Sequence, residues 1–473
     1  MMADTITIKK GLNIPIAGTA EKRITNALGV KLYAVKPTDF VGLTPRLLVE
    51  EGDVVATGDA LFCDKNDERI RFTSPVGGHV KAVVRGEKRK LLEVVVEAGD
   101  SSLLVLDVPH TADDIKETML RSGLWVMLRQ RPFGVVANPD TKPKAIFVSA
   151  FSSAPLAPDY DFVIQGKEEF FKKGLEALSK LTDGKVHVCF KHNQSLSKQL
   201  STLNSQFSTH LFKGPHPAGN IGTQIAHIDP INKGEIVWTM NAQDVVVLGE
   251  LVSTGIYRPE KIVAVAGPQI KNPHYYRIKA GASMAGIVAE QVFNTDYPKM
   301  ESNDAALGNR VISGDILSGT QISNDGFISA YDDLLSILPE GDYYDFMGWL
   351  MPGFKKYSFS RTFLSGFLSP FVSQLSTLNS QLLTYKFDTN THGDERPLVF
   401  TGNFERVFPF DIYPTQLIKA CIVGDIDLME QLGIYEVEPE DFALCEFIDI
   451  SKTEIQHIIR EALETLRKEV ADV

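Results

Sequence analysis

The sequence predicts a multidomain protein of mixed α/β and α+β class: a small β domain, an α/β domain, a small α+β domain and a mainly helical C-terminal domain. The chain has 473 residues, which is too long for one compact core and suits about three or four domains. Its 44% hydrophobic and 23% charged residues are typical of a folded chain. Strand patterns come first, strands then alternate with helices, and helical patterns dominate the end. These changes place the domains at residues 1–105, 106–255, 256–330 and 331–473.

The charge balance excludes several classes of partner. Lys and Arg total 48 and Asp and Glu total 60, which gives a net charge of −12. An acidic chain has no general attraction to nucleic acid or anionic lipid, although local basic patches are compatible with it. The sequence lacks the ~18 unbroken apolar residues that a membrane-spanning helix requires. Residues 1–6 lack the basic and apolar segments of a secretion signal, so none is expected.

The first domain has short strands separated by turns about every ten residues, which predicts a small barrel or sandwich. LVEEGDVVATGDAL at 48–61 and SPVGGHV at 74–80 resemble the biotinyl/lipoyl domain, a barrel-sandwich hybrid. In that family a modified lysine lies between the two segments. Lys65, in CDKND at 63–67, departs from the carrier pattern. We therefore expect this fold to serve a structural purpose, and covalent modification of Lys65 is the alternative.

Alternating strands and helices predict a Rossmann-like α/β domain at 106–255. The strands are predicted at 145–150, 186–190 and 244–249, and the helices at 112–120 and 168–181. Thr111 or Asp113 is the expected cap of the first helix. The chain contains neither GxGxxG nor GxxxxGK[ST], and the prolines of GPHPAGNIG at 214–222 lack the N–H donors that phosphate binding uses. We expect a structured turn with a packed His216 there, with nucleotide binding as the alternative.

The rest of the chain predicts a small α+β domain followed by helices. Strands are expected at 261–268 and 276–282. Pro414 suits the first turn of a helix, and residues 425–432 predict a short helix. The last helix is expected to follow a capping box at 451–454. Its apolar stripe consists of Ile455, Ile458, Ile459, Ala462, Leu463, Leu466 and Val470.

The cysteines and one repeated segment complete the local signals. Cys63, Cys189, Cys421 and Cys445 are scattered, and the closest two are 24 residues apart. This spacing excludes a local cysteine motif for a metal or an iron–sulfur cluster and argues against a disulfide framework. The octapeptide QLSTLNSQ occurs at 199–206 and again at 374–381. Its polar, almost uncharged composition predicts two insertions in exposed loops.

Several short motifs, in order along the chain, resemble one family. They are found at 6–18, 72–78, 122–125, 129–133, 214–219, 311–314, 348–353, 402–407, 411–414 and 440–445. Together they resemble the NqrA family, whose members are subunits of the bacterial sodium-translocating NADH:quinone oxidoreductases. The resemblance implies a peripheral subunit on the cytoplasmic face of the bacterial inner membrane. Its partners would be the other subunits of a six-subunit complex, above all the membrane subunits.

The family is related to the flavin-binding subunit of respiratory complex I, which the α/β domain at 106–255 is expected to resemble, and to the C subunit of the Rnf complex. The resemblance also implies that the small α+β domain at 256–330 is ubiquitin-like, of the SLBB type. In those relatives a glycine-rich loop holds FMN and a cysteine cluster holds iron–sulfur centres. Here the corresponding stretch at 122–129 has the single glycine Gly123, and the C-terminal part keeps only Cys445 of a cysteine pattern. The resemblance therefore implies a scaffold without cofactors or metals of its own. NADH, flavins and iron–sulfur centres would lie on the partner subunits.

The resemblance also implies a role in the reduction of a quinone coupled to sodium transport. A quinone headgroup needs hydrogen-bond donors at its carbonyls and an apolar or aromatic slot. The candidate residues are Phe40, Trp125, Arg129, Arg131 and Phe133, because arginine donates to a carbonyl oxygen and aromatic rings stack. The alternative for 125–133 is a surface turn whose arginines pair with carboxylates.

A second class of function is also compatible with the sequence. The chain would then be a non-catalytic assembly subunit that docks on the membrane subunits, with the quinone site elsewhere. Trp349, Lys355 and Lys356, in GWLMPGFKK, are the candidate interface residues, because apolar side chains beside lysines suit an interface. A buried core is the alternative for the tryptophan. No catalytic residue is assigned.

Overall fold

The structure is a computed structural model that describes residues 5–27, 29–99, 103–199, 206–293, 308–343, 347–348, 350–353, 356–359, 363–365 and 384–472. Most of the first octapeptide and all of the second lie outside these residues. The described strands are β1 (Thr5–Thr7), β2 (Glu21–Asn26), β3 (Leu32–Val35), β4 (Pro45–Leu47), β5 (Val54–Val55), β6 (Ala60–Asp64), β7 (Arg71–Thr73), β8 (Gly78–Arg85), β9 (Leu91–Ala98), β10 (Leu104–Val105), β11 (Arg129–Arg131), β12 (Val135–Val136), β13 (Ala145–Ser149), β14 (Lys185–Lys191), β15 (Phe207–Lys213), β16 (Val237–Asn241), β17 (Ile256–Tyr257), β18 (Glu260–Ala266), β19 (His274–Lys279), β20 (Asn309–Ser313), β21 (Thr320–Ile322) and β22 (Leu334–Pro339). The described helices are α1 (Ala112–Ser122), α2 (Tyr160–Val163), α3 (Glu168–Ser179), α4 (Ser195–Gln199), α5 (Ile221–Ile228), α6 (Ala242–Thr254), α7 (Ala285–Gln291), α8 (Phe404–Val407), α9 (Pro414–Val423), α10 (Ile426–Gln431), α11 (Ala443–Ile448) and α12 (Ile455–Asp472).

Two small antiparallel sheets build the N-terminal β domain. One has the strand order β3-β9-β8-β5 and the other β4-β6-β7. The rings of Phe62 and Phe72 stack between them with centroids 4.7 Å apart, and both side chains are buried. Strand alternation in the sequence predicts this arrangement, because one face of each strand must be apolar to cover the core.

The first strands of the chain belong to other sheets, which differs from the predicted boundary at 1–105. β1 pairs in parallel with β15, and Ile6 lies opposite Phe212. β2 pairs in parallel with β19. A strand of three to six residues has no local preference for its partner, so the tertiary structure decides which sheet it joins.

A seven-stranded sheet, called the central sheet below, has the order β1-β15-β14-β13-β16-β11-β12. β13 pairs in parallel with β14 and β16, and β11 runs antiparallel beside β16. The helices α3 and α6 pack against each other. The strand predicted at 244–249 is wrong, because these residues lie in α6. Asn241 begins that helix, and its side chain accepts a hydrogen bond from Gln243 N; periodicity alone does not separate a buried strand from a helix that is buried on all sides.

His187 makes the stability of this sheet depend on pH. Its Nδ1 lies 3.0 Å from Nε2 of His210, and its ring stacks on Phe147. Burial lowers the pKa of His187 to about 4. The unfolded chain therefore binds more protons between pH 6.5 and 4, and the folded state loses stability as the pH falls through this range.

The substitution His187→Phe removes this titration. We expect the wild-type chain to lose up to about 3 kcal/mol more stability than the variant between pH 7 and pH 4. Melting temperatures measured at several pH values for both proteins provide the check. Parallel pH profiles of the two proteins would contradict the assignment.

A six-stranded sheet in the order β2-β19-β18-β22-β20-β21 forms the third unit. The predicted strands at 261–268 and 276–282 correspond to β18 and β19. β22, at 334–339, is central in this sheet and pairs with both β18 and β20. The segment 331–473 is therefore not only helical, because its first strand completes the preceding domain.

The helices α8 to α12 enclose a separate core around Phe408 and Phe442. The apolar stripe of α12 is buried at Ile455, Ile459, Leu463 and Leu466, as its periodicity predicts. The capping box predicted at 451–454 is wrong. Glu446 Oε2 instead accepts the bond from Gln456 N at 2.8 Å, and Ser451 Oγ accepts one from Val399 N. The preceding helix α11 therefore supplies a cap in place of the predicted box.

Neither a membrane-spanning helix nor a metal-ligand cluster is found among the described residues. None of the described helices has both the length and the apolar composition needed to cross a membrane. Across the same part of the chain, His, Cys, Asp and Glu side chains form no group of three or more that could hold a metal ion.

Candidate functional site

Phe40 lies at the junction between the N-terminal β domain and the segment that precedes β22. It directly follows a short turn of 3₁₀ helix at Pro37–Asp39. Its side chain is buried, with the edge-on ring of Phe72 at 4.5 Å and that of Tyr331 at 5.5 Å between centroids. Phe40 therefore joins an aromatic cluster contributed by segments that are distant in the sequence.

Arg129 meets the same cluster from the central sheet. It is the first residue of β11, it is half-buried, and its guanidinium carbon lies 5.2 Å from the ring centroid of Tyr331. Among the described residues its side chain makes no hydrogen bond or ion pair. A guanidinium has five donors in a planar fork, so these donors are available to a ligand beside aromatic rings.

Tyr331 connects the two predicted residues, and sequence reasoning missed it. Its hydroxyl donates to the Val126 carbonyl oxygen at 2.8 Å. Burial raises the pKa of Tyr331, and the adjacent Arg129 opposes that shift. A tyrosine between Ala330 and Asp332 has no distinctive local signal. Only the folded chain brings it between Phe40 and Arg129.

Carboxylates lie on both sides of this cluster. Asp39 accepts a hydrogen bond from Ala330 N at 2.8 Å, and Lys36 Nζ is 3.4 Å from its other oxygen. Asp332 accepts a bond from Ser313 Oγ at 2.6 Å. Burial raises the pKa of Asp39, and it raises the pKa of Asp332 to about 6. These carboxyl groups hold protons more tightly than exposed ones.

Trp125 lies in the core beneath β11. It is 1% exposed, its Nε1 donates to the Ala137 carbonyl oxygen at 2.8 Å, and its ring meets Trp238 edge-on at 5.5 Å. Its polar group is therefore already bonded, and its ring supports the sheet from which Arg129 extends.

Arg131 and Phe133 contact the helical domain. Arg131 is 3% exposed, and its guanidinium donates to Glu440 Oε1 at 2.5 Å and to Asp441 Oδ2 at 3.3 Å. The Phe133 carbonyl oxygen accepts from Arg460 Nη1 at 2.9 Å. Among the five predicted site residues, the structure brings Phe40 and Arg129 to one cluster and directs the Arg131 side chain to carboxylates.

The predicted interface residues are only partly described. Trp349 and Lys355 lie outside the described residues. Lys356 Nζ is 5.5 Å from the Phe363 ring. Leu350 and Met351 are 62% and 61% exposed, so large apolar side chains are exposed in the same segment of the chain as Lys356.

The expected packed His216 is confirmed. It is 3% exposed, and Nδ1 lies 3.1 Å from Ser153 Oγ. Burial lowers the pKa of His216 to about 4. Gly219 N donates to the same Ser153 hydroxyl at 2.7 Å, which fixes the turn against the central sheet.

Comparison with known proteins gives matches over most of the chain. Three domains of one family match it: the NqrA N-terminal barrel-sandwich hybrid domain at 6–99, the NqrA second alpha/beta domain at 110–257 and the NQRA C-terminal domain at 262–298. The first two matches confirm the predicted barrel-sandwich hybrid and α/β domain.

Full-length relatives are members of the same family. The NqrA subunit of the Na(+)-translocating NADH-quinone reductase from Yersinia pseudotuberculosis is 38% identical over 472 residues, which is 98% of this chain and 100% of the relative. The corresponding subunit from Neisseria meningitidis serogroup B is 37% identical over 473 residues, with the same coverage. A solved structure of an NAD⁺-reducing [NiFe]-hydrogenase shares 13% identity over 48% of this chain and 47% of its own, at a TM-score of 0.33, which is too low to support an argument.

Proposed function

The chain belongs to the NqrA family of Na(+)-translocating NADH-quinone reductase subunits, and from this membership we propose that it contributes to quinone binding and reduction coupled to sodium transport. The electrons would come from NADH through flavins and iron–sulfur centres on other subunits of a six-subunit complex. The chain itself would be peripheral, on the cytoplasmic face of the bacterial inner membrane. Family membership and the scattered cysteines of the sequence support this part of the proposal.

One observation supports a quinone site best: the guanidinium of Arg129, unpaired among the described residues, lies over the ring of Tyr331, which in turn meets the ring of Phe40. Reduction adds two electrons and two protons to a quinone, and negative charge develops on its carbonyl oxygens as the electrons arrive. A charge-assisted bond from Arg129 would stabilise that oxygen. The aromatic rings would contact the face of the headgroup.

The other predicted residues have supporting roles in this proposal. Trp125 fills the core behind β11. Arg131 and Phe133 fix the far end of β11 to the helical domain through Asp441 and Arg460. The carboxyl groups beside the cluster belong to the environment of the proposed site, and we assign them no step in the reduction of the quinone.

The substitution Arg129→Gln in the assembled complex tests the quinone site. Loss of a charge-assisted bond worth roughly 1.5–3 kcal/mol should lower kcat/KM for a short-tailed quinone by about 10- to 100-fold. NADH oxidation by an artificial acceptor that takes electrons before the quinone should be unchanged. Arg129→Lys should restore part of the activity, because it keeps the charge but not the fork.

Arg121→Gln is the matched control, since Arg121 is an exposed arginine at the end of α1. It should leave both activities unaltered. Wild-type quinone kinetics in the Arg129→Gln complex would reject Arg129 as a donor to the quinone.

The second candidate function is assembly, and the exposed Leu350 and Met351 favour it. In that case the segment that contains these side chains and Lys356 would dock on a membrane subunit, and the quinone site would lie elsewhere. Titration of the isolated chain with a short-tailed quinone separates the two candidates. Saturable binding that Arg129→Gln weakens supports the quinone site. Absence of binding, together with loss of the chain from complexes that contain Leu350→Ser and Met351→Ser, supports docking.

A further inference from the structure

The turn between β8 and β9 concentrates positive charge on an acidic chain. Arg85, Lys88, Arg89 and Lys90 lie within six residues, and Glu87 is the single carboxylate among them. All five side chains are exposed. Because the whole chain has a net charge of −12, this excess of cations is a local feature and not a general property.

Hydrogen bonds hold the turn in one conformation. Gly86 N donates to the Lys90 carbonyl oxygen at 2.9 Å, and Arg85 Nη1 donates to the Arg89 carbonyl oxygen at 3.2 Å. Lys88 and Arg89 have φ of 52° and 62°, in the left-handed region that is unfavourable for a residue other than glycine. The chain thus presents cationic side chains where glycine would form the turn more easily.

These cations are not neutralised within the described part of the chain. None of the four makes an ion pair with a described residue, whereas Lys81, further down β8, pairs with Glu97 at 3.0 Å. Val84, beside Arg85, is 38% exposed and adds an apolar contact. The tip of the hairpin therefore carries positive charges that form no ion pair with a described residue, and it also exposes some apolar surface.

We propose that this basic tip, residues 84–90, is a membrane-contact site that binds the headgroups of anionic phospholipids. A basic residue close to an anionic bilayer gains roughly 1 kcal/mol. The acidic body of the chain is repelled by the same surface, but beyond about 10 Å that repulsion is screened at 0.1 M salt. Because the side chains of the turn are exposed, the cations are free to reach the phosphates of a bilayer.

Binding of the full chain to vesicles tests the proposal. Vesicles with 30 mol% phosphatidylglycerol should bind the chain, and pure phosphatidylcholine vesicles should not. Lys88→Ala combined with Arg89→Ala should weaken binding by about 25-fold, which is roughly fivefold for each charge lost. Raising the salt concentration to 1 M, where the screening length is about 3 Å, should abolish binding of the wild type.

Lys9→Ala with Lys10→Ala is the matched control, since it removes two exposed adjacent cations from another part of the chain. It should bind as the wild type does. Equal losses in the two double variants would attribute binding to net charge and overturn the proposal. Absence of binding to the acidic vesicles would also overturn it, and would leave an acidic protein surface as the occupant of the tip. Neither result bears on Arg129, so the quinone site stands or falls separately.

Discussion

Replacing Arg131 by alanine is expected to lower the free energy of unfolding by about 3–5 kcal/mol, because the change leaves the buried Asp441 carboxylate without its cation. Arg131 is 3% exposed, and the Asp441 side chain beside it is fully buried. Gly222 closes the space around them, since a Cβ there would lie 2.4 Å from Asp441 Oδ1. Little room is left for water to replace the guanidinium.

The effect should depend on pH. Burial raises the pKa of Asp441 to about 7, and Arg131 opposes that rise. Without Arg131 the pKa of the carboxyl rises further, so Asp441 is protonated over more of the pH range. The defect of the Arg131→Ala variant should therefore be largest above pH 8 and should shrink as the pH falls toward 5.

Thermal unfolding at pH 5, 7 and 8.5 measures both effects. Lys142→Ala is the control, because Lys142 pairs with Asp183 where the side chains are 70% and 82% exposed. An exposed pair of this kind contributes about 0–1 kcal/mol. If Arg131→Ala were as mild as this control at every pH, the buried cluster would not stabilise the contact between β11 and the helical domain.

Trp125→Ala is the second substitution with a large expected effect. It removes a ring that is 1% exposed and leaves a cavity next to Trp238, which should cost about 3–5 kcal/mol. It also leaves the Ala137 carbonyl oxygen without the indole N–H that donates to it at 2.8 Å. Trp125→Phe keeps most of the volume and loses mainly that bond, so it should cost about 1–2 kcal/mol.

Melting temperatures of the two variants give the comparison, with Val84→Ala as a control at a position that is 38% exposed. The Trp125→Phe variant also tests the role of Trp125 at the site. Because the indole is buried and bonded within the protein, quinone affinity in the folded variant should be unchanged. A large loss of affinity without a loss of stability would mean that the indole contacts the ligand.

Some elements of the fold were predictable because their determinants are local. The α1 helix begins at Thr111, whose hydroxyl accepts from Asp114 N at 3.1 Å, as the sequence around 111–114 indicates. The α3 and α12 helices follow their apolar periodicity. Such signals depend on residues within one or two turns of each other, so a single sequence contains them.

Other elements were mispredicted because their determinants are distant. The run at 244–249 is helical, and it is buried by α3 and by neighbouring strands rather than by two faces of a sheet. The strands β1 and β2 joined remote sheets. The cap of α12 came from Glu446 and not from Ser451. In each case a tertiary contact outweighed a weak local preference.

The candidate site was likewise predictable only in part from the sequence. The sequence indicated that Phe40 and Arg129 have the right side chains for a quinone, but 89 residues separate them. The sequence offered pairing of the arginines with carboxylates as an alternative, but nothing in it identified Glu440 and Asp441 as the partners of Arg131. Nor did it indicate that Tyr331 would lie between Phe40 and Arg129. The sequence therefore predicted the kinds of side chain at the site, which are a hydrogen-bond donor and aromatic rings. It did not predict that these side chains would contact one another.

The sequence by itself determined the family, the presence of a barrel-sandwich domain and an α/β domain, and those strands and helices whose signals are local, such as α1, α3 and α12. Motifs and periodicity report these because each is a property of neighbouring residues. Only the tertiary structure decided which sheet each short strand joins. It also decided which of the two predicted arginines forms ion pairs with carboxylates in the described part of the chain. These depend on side chains that meet across long stretches of chain, and close packing of the whole core determines which of those contacts form.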